Sequence, residues 1–149
     1  MTPKWPSEEF VTLYRYFIWA DRIFSLFQET FGDPKYKLTE DPMRFFVDDP
    51  GIFMTYWYGA MYVVIEGWRE RGLHDPKIDA LLTSPNVNLL RLYRNGAFHY
   101  QNKWLHKKLT DFCGSTDGVT WVRELTAEFR RYFGDEMAKG RSTPPTSAP

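Results

Sequence analysis

The chain has 149 residues, 43% hydrophobic and 26% charged, with 19 basic side chains balanced by 19 acidic ones. That length suits one domain able to bury most of the surface its unfolded form exposes, and formal neutrality argues against broad, tight, non-specific binding to nucleic acid. A single cysteine, Cys113, excludes an internal disulfide framework and fits a reducing compartment.

Aromatic residues are abundant, with 12 Phe, 9 Tyr and 6 Trp. Core filling accounts for most of them and leaves a surplus for an interface or pocket. The N-terminal MTPKWPSEEF lacks the basic-then-apolar pattern of a secretory signal. The most apolar run, Ile52 to Ile65, is shorter than the ~20 residues of a spanning helix and carries Thr55, Tyr56, Trp57, Tyr58 and Tyr62. A cytoplasmic chain with no membrane association is the expectation.

Ser7 followed by Glu8 and Glu9 reads as a helix start, a cap with acids in the positive first turn. Phe10, Leu13, Tyr14, Phe17, Phe24 and Phe31 recur at helical spacing, and Gly32 is a stop, so a helix is predicted over 8–31. Asp21 shares the stripe with Phe17 and Phe24, so it either pairs with an arginine or lies locally exposed. From Gly32 to Pro50, Asp33-Pro34, Glu40-Asp41-Pro42 and Asp48-Asp49-Pro50 mark a long connection with a short helical piece at Met43 to Val47. Connections of that length usually have a task, such as packing across a bundle or covering a site.

Asp49 as cap and Pro50 in the first turn open a second long helix to about Arg71, with Gly72 past its end. Phe53, Trp57, Ala60, Val64 and Trp68 form one face, and Met54, Tyr58, Met61 and Ile65 another. Only a stripe around Thr55, Glu66 and Glu70 is polar. Such a helix is buried on two sides, by its own chain or by a second subunit. Asp75-Pro76 opens a short helix to about Leu82. Ser84-Pro85 starts the next, with Val87, Leu90, Tyr93 and Ala97 on its core side. Trp104, Leu105, Leu109 and Phe112 continue helical periodicity up to Gly114. After a GSTDG loop, Val122, Leu125, Phe129, Tyr132 and Phe133 mark a final amphipathic helix over about 119–138. The tail from Gly140 to Pro149 has too little apolar content to fold. These elements predict an all-α antiparallel bundle of about four to six helices in a single domain over 1–139, without a sheet.

Charge is distributed unevenly. No Asp or Glu occurs from Ala80 to Thr110, where Arg91, Arg94, Lys103, Lys107 and Lys108 give +5, so the rest of the chain sums to −5. Within this stretch lie Arg94, Asn95 and His99. Arg offers a permanently charged planar fork suited to phosphate oxygens, and His exchanges protons near neutrality. Together they are equipped for metal-free RNA cleavage: the imidazole moves a proton at the 2′-hydroxyl or the leaving oxygen, and the guanidinium stabilises the phosphorane. In an ideal helix residues five apart point about 140° apart, whereas Asn95 and His99 share a face that Arg91 joins. Convergence of Arg94 on His99 therefore requires a helix end, kink or bulge near Gly96. Otherwise Arg94 and Asn95 make surface or capping hydrogen bonds and His99 is an ordinary bundle histidine.

The segment Arg94-Asn95-Gly96-Ala97-Phe98-His99, late in a helical bundle, resembles the signature of the HEPN superfamily: an Arg, often followed by Asn, then His after a gap of four to six residues. The resemblance covers six residues; beyond them the likeness is architectural. It implies a metal-independent endoribonuclease without cofactor, often a toxin or anti-phage defence effector, acting as a homodimer whose two motifs share a cleft. It implies catalytic roles for Arg94 and His99, with Asn95 positioning them, and leaves room for a cognate antitoxin or regulatory protein. One HEPN toxin group carries a modifiable Tyr two residues after the His. Here Tyr100 follows His99 directly and Gln101 occupies the later position, which departs from that pattern. Other HEPN members are catalytically inactive protein- or RNA-binding modules.

Arg91, Lys103, His106, Lys107 and Lys108 could contact RNA phosphates, and Tyr100 or Trp104 could stack on a base; the alternative is a solvated helix face, which has at least equal weight for Lys107 and Lys108. Other chemistries have less support. His99 and His106 are separated by about 10 Å of helical rise, too far for one metal, and His74 with Asp79 lacks further ligands. Cys113 reads as a packing residue rather than a nucleophile. No glycine-rich phosphate loop or dinucleotide fingerprint is present.

Overall fold

The computed structural model describes residues 6–36 and 41–141. The described residues form seven helices and no strand: α1 (Glu8–Phe31), α2 (Pro42–Val47), α3 (Asp49–Glu70), α4 (Pro76–Leu81), α5 (Asn86–Phe98), α6 (Lys107–Cys113) and α7 (Gly118–Arg141). The all-α bundle is as expected. Three of the seven are short, at six or seven residues, and the number exceeds the expected range because α6 stands apart from α5 rather than continuing it. The last helix runs three residues beyond its expected end. Glu40 and the tail from 142 lie outside the described residues.

Local chemistry sets the boundaries. Ser7 Oγ accepts the Phe10 N–H at 3.3 Å and starts α1. Asp75 caps α4 by accepting from Lys77 and Ile78 N–H, and Gly72 turns the chain after α3 with a φ of 61°. Asp49 is a correction. It is the first helical residue of α3 rather than its cap, and its carboxylate instead accepts the Tyr36 hydroxyl at 2.6 Å.

Helix α3 runs through the centre. It packs along α1 on one side and α5 on another, with α2 at its start and α7 also in contact. Both apolar faces of α3 are thus covered by the chain itself, which decides the choice between internal packing and a second subunit for that helix. The shared core is aromatic. Trp57 is fully buried, stacks on Phe24 at 4.2 Å, and donates its indole N–H to Thr126 Oγ1 at 3.2 Å. Phe17, Phe129 and Phe133 join α1 to α7, while Tyr58, Tyr93 and Phe112 join α3, α5 and α6 edge to face. Buried indoles and phenols find polar partners, as at Trp121 Nε1 to the Leu81 carbonyl (2.9 Å) and Tyr93 to Thr55 (2.8 Å). Most of the aromatic residues are buried in this core or packed against it.

Two carboxylates tie α7 to the rest. Asp21 pairs with the half-exposed Arg130. Asp75, while capping α4, also accepts from Arg131 at 2.8 Å. Burial alone would raise the Asp75 pKa, but the Arg131 guanidinium and the two cap N–H groups outweigh it and hold the carboxyl below its usual range. A group depressed in the folded state contributes stability above its unfolded pKa of about 4 and loses it as pH falls through the folded value. Accordingly, thermal melts of Asp75→Asn against the parent should show a deficit at pH 7 that shrinks steadily below about pH 4.

Candidate functional site

Helix α5 is tied to the loop before α7 at its start and packs against α3 and α6 at its end. Ser84 Oγ accepts the Asn86 N–H at 3.1 Å, and the buried Asn86 amide donates to Asp117 at 3.0 Å, tying α5 to the loop before α7. Val87, Leu90 and Tyr93 face the core as expected. The next turn carries Arg94 and Asn95, and the helix ends at Phe98.

Arg94 turns toward α3. Its guanidinium lies over the Tyr62 ring at 5.2 Å, and Nη2 donates to Glu66 Oε1 at 2.7 Å. Its Nε is buried with no hydrogen-bond partner among the described residues. Asn95 is half-buried, and its carbonyl accepts the His99 N–H at 3.1 Å, closing the helix. Phe98 covers Gly59 of α3 and meets Tyr56 edge to face at 5.4 Å. His99 then leaves the helix with φ −112° and ψ 127°, exposed, its ring without a hydrogen bond among the described residues. Tyr100 follows at 95% exposure.

The backbone departure required near Gly96 is found three residues later, at His99. Gly96 is itself helical and buried; a Cβ there would come within 2.9 Å of Lys108 Cβ and 3.3 Å of Leu109 Cδ2. Its role is to let α6 cross closely over α5, and of the three departures named (helix end, kink or bulge) the one found is the helix end. Gly96→Val should therefore lower stability by about 1–3 kcal/mol through overpacking, measured by urea denaturation, although Val is the better helix former.

Arg94 and His99 make no hydrogen bond to each other within one chain. The +5 stretch also proves less isolated than its sequence. Glu66 answers Arg94, and Asp111 stands 4.0 Å from Lys107. Arg91 donates to Asn88 from Nε and Nη2. Arg91, Lys103 and Lys108 have no ion-pair partner among the described residues. The expected helical continuation through Trp104 and Leu105 is not found. The chain runs outside helix from His99 to His106, with Trp104 half-exposed. His106 caps α6, its Nδ1 accepting the Lys108 N–H at 3.1 Å, so one ring nitrogen is committed to structure. Cys113 is exposed as a residue, yet crowding around its sulfur pushes the thiol up to about 11, away from a reactive thiolate. His74 and Asp79 lie 3.3 Å apart, and no group of three or more potential metal ligands occurs among the described residues.

Two residues at this site escaped the sequence reading. Glu66 belonged to the polar stripe of α3, and Tyr62 lies one turn before it on the same face. The stripe was visible; its partner 28 residues away was not. Glu66 also lines an open cleft of about 600 Å³ between α1 and α3, whose walls carry Glu8, Glu9, Glu70 and Arg71 beside Tyr16 and Val63. No helix among the described residues is long and apolar enough to cross a membrane. Comparison with known proteins finds no matching family model, no matching curated protein and no matching solved structure.

Proposed function

We propose that the chain is a metal-independent endoribonuclease of HEPN type. The observation carrying this reading is His99: an exposed imidazole without a hydrogen bond among the described residues, at the end of α5 and just beyond, in sequence, a guanidinium already held in place. In the reaction, the 2′-oxygen attacks phosphorus, the P–O5′ bond breaks, and the 5′-oxygen receives a proton. His99 moves the proton and Arg94 stabilises charge on the phosphorane. Asn95 supports the turn from which His99 projects, through the carbonyl that accepts its N–H. Because Arg94 faces α3 while His99 projects from the helix end, a second copy of the chain completes the cleft. Arg91, Lys103 and the free edge of His106 supply phosphate contacts, and Tyr100 and Trp104 offer stacking faces. The cellular role that goes with this activity is that of a cytoplasmic toxin or anti-phage effector, restrained by a cognate antitoxin or regulatory protein.

The test is RNA cleavage in EDTA by the parent, His99→Ala and Arg94→Ala, with the product ends identified. Cleavage leaving a 2′,3′-cyclic phosphate and lost in both variants supports the reading. One observation favours a second reading, that of a catalytically silent bundle binding RNA or protein: Glu66 neutralises Arg94 within the chain. An intact dimer that binds RNA without cutting it would establish that alternative.

A further inference from the structure

We propose that Glu66 is a positioning residue for Arg94 in this reaction, an assignment that rests on the ribonuclease reading above. Glu66 and Tyr62 are i,i+4 on α3 and present a carboxylate and a ring face to one guanidinium. The ring supports its plane and the carboxylate takes Nη2. Nη1 has no hydrogen-bond partner among the described residues and is left for an incoming oxyanion. A guanidinium that must meet charge developing only in the transition state has to be aimed beforehand, or the reaction bears the cost of ordering a long side chain.

Stability alone does not account for this arrangement. Half of the Glu66 side chain is exposed to solvent, which screens its pairing with the less exposed Arg94 and limits what the pair adds to folding. The same geometry leaves Arg94 Nε buried and unpaired among the described residues, which is destabilising. A locally unfavourable placement in the last turn before an exposed histidine fits a side chain held for chemistry rather than for packing. Glu66 acts through Arg94 and does not itself touch the reacting atoms.

Three variants test this: Glu66→Ala, Glu66→Gln and, as a control, His99→Ala. Glu66→Ala should lower kcat by roughly ten- to a hundredfold, the worth of one hydrogen bond to a charged group, with KM unchanged or lower because a negative charge has gone. Glu66→Gln keeps an acceptor for Nη2 and should recover most of kcat. A purely structural role would lower the melting temperature without separating kcat from KM. Solvent exchange of the Arg94 Nε–H, followed by nitrogen-15 NMR, should be slow in the parent and Glu66→Gln and fast in Glu66→Ala. Glu66→Ala cleaving as fast as the parent, or faster, overturns the assignment, as does an Nε–H that stays protected in that variant. If the parent shows no His99-dependent cleavage, the ribonuclease reading fails and takes this role with it. If cleavage depends on His99 yet ignores Glu66, only the positioning assignment fails.

Discussion

Replacing His99 by alanine is expected to reduce metal-free RNA cleavage by about 10²–10⁴-fold, the range of a general acid or base, while leaving the melting temperature nearly unchanged. The second half of that expectation comes from the structure. The His99 ring is exposed and makes no hydrogen bond among the described residues, so its removal should take little from the fold. Arg94→Ala should behave differently. Arg94 packs its guanidinium on Tyr62 and holds Glu66, so its loss should reduce cleavage and also cost about 1–2 kcal/mol of stability, measurable by urea denaturation. The contrast matters, because a variant that loses activity by unfolding says little about chemistry. Loss in His99→Ala with an unchanged melt points to the imidazole itself. Full activity in His99→Ala would remove the proposed mechanism.

The largest effect on folding is expected at Trp57. Trp57→Ala should cost about 3–5 kcal/mol, equivalent to a fall of roughly 10–15 °C in melting temperature for a chain of this size, read by calorimetry. Trp57 is fully buried on the central helix and meets Phe24, Phe27 and Tyr58 at 4.2, 5.6 and 4.9 Å between ring centroids. Its N–H reaches Thr126 across the core. The neighbours come from α1 and α7 as well as α3, so they cannot all close on the vacated space at once. A fall of only a few degrees would mean that the aromatic core repacks more freely than its interlocking rings suggest.

A comparison of two glycines shows how far local signals carry. Gly72, after a run of amphipathic residues, ends α3 in the left-handed region, as its position suggests. Gly96, inside a helical pattern, reads locally as a weak point, yet it is the contact that admits α6. The first role depends on one residue's backbone; the second depends on a helix that arrives 11 residues later. The same division appears in the charges. Local composition correctly locates five cations in an acid-free stretch. It is blind to Glu66, whose pairing with Arg94 is created only when α3 and α5 pack together.

From the sequence by itself follow the all-α class, the boundaries of α1 and the end of α3, the caps at Ser7 and Asp75, and the placement of Arg94 and His99 late in a bundle. Each depends on interactions between residues a few positions apart, which a linear pattern records. Only the tertiary structure decides that α3 is enclosed by its own chain, that Gly96 is a crossing point, that His106 is a cap, and that Arg94 is fixed on Tyr62 and Glu66 while His99 stands free. Those outcomes depend on which faces meet, and contacts between residues far apart in the chain leave no periodic trace in the sequence.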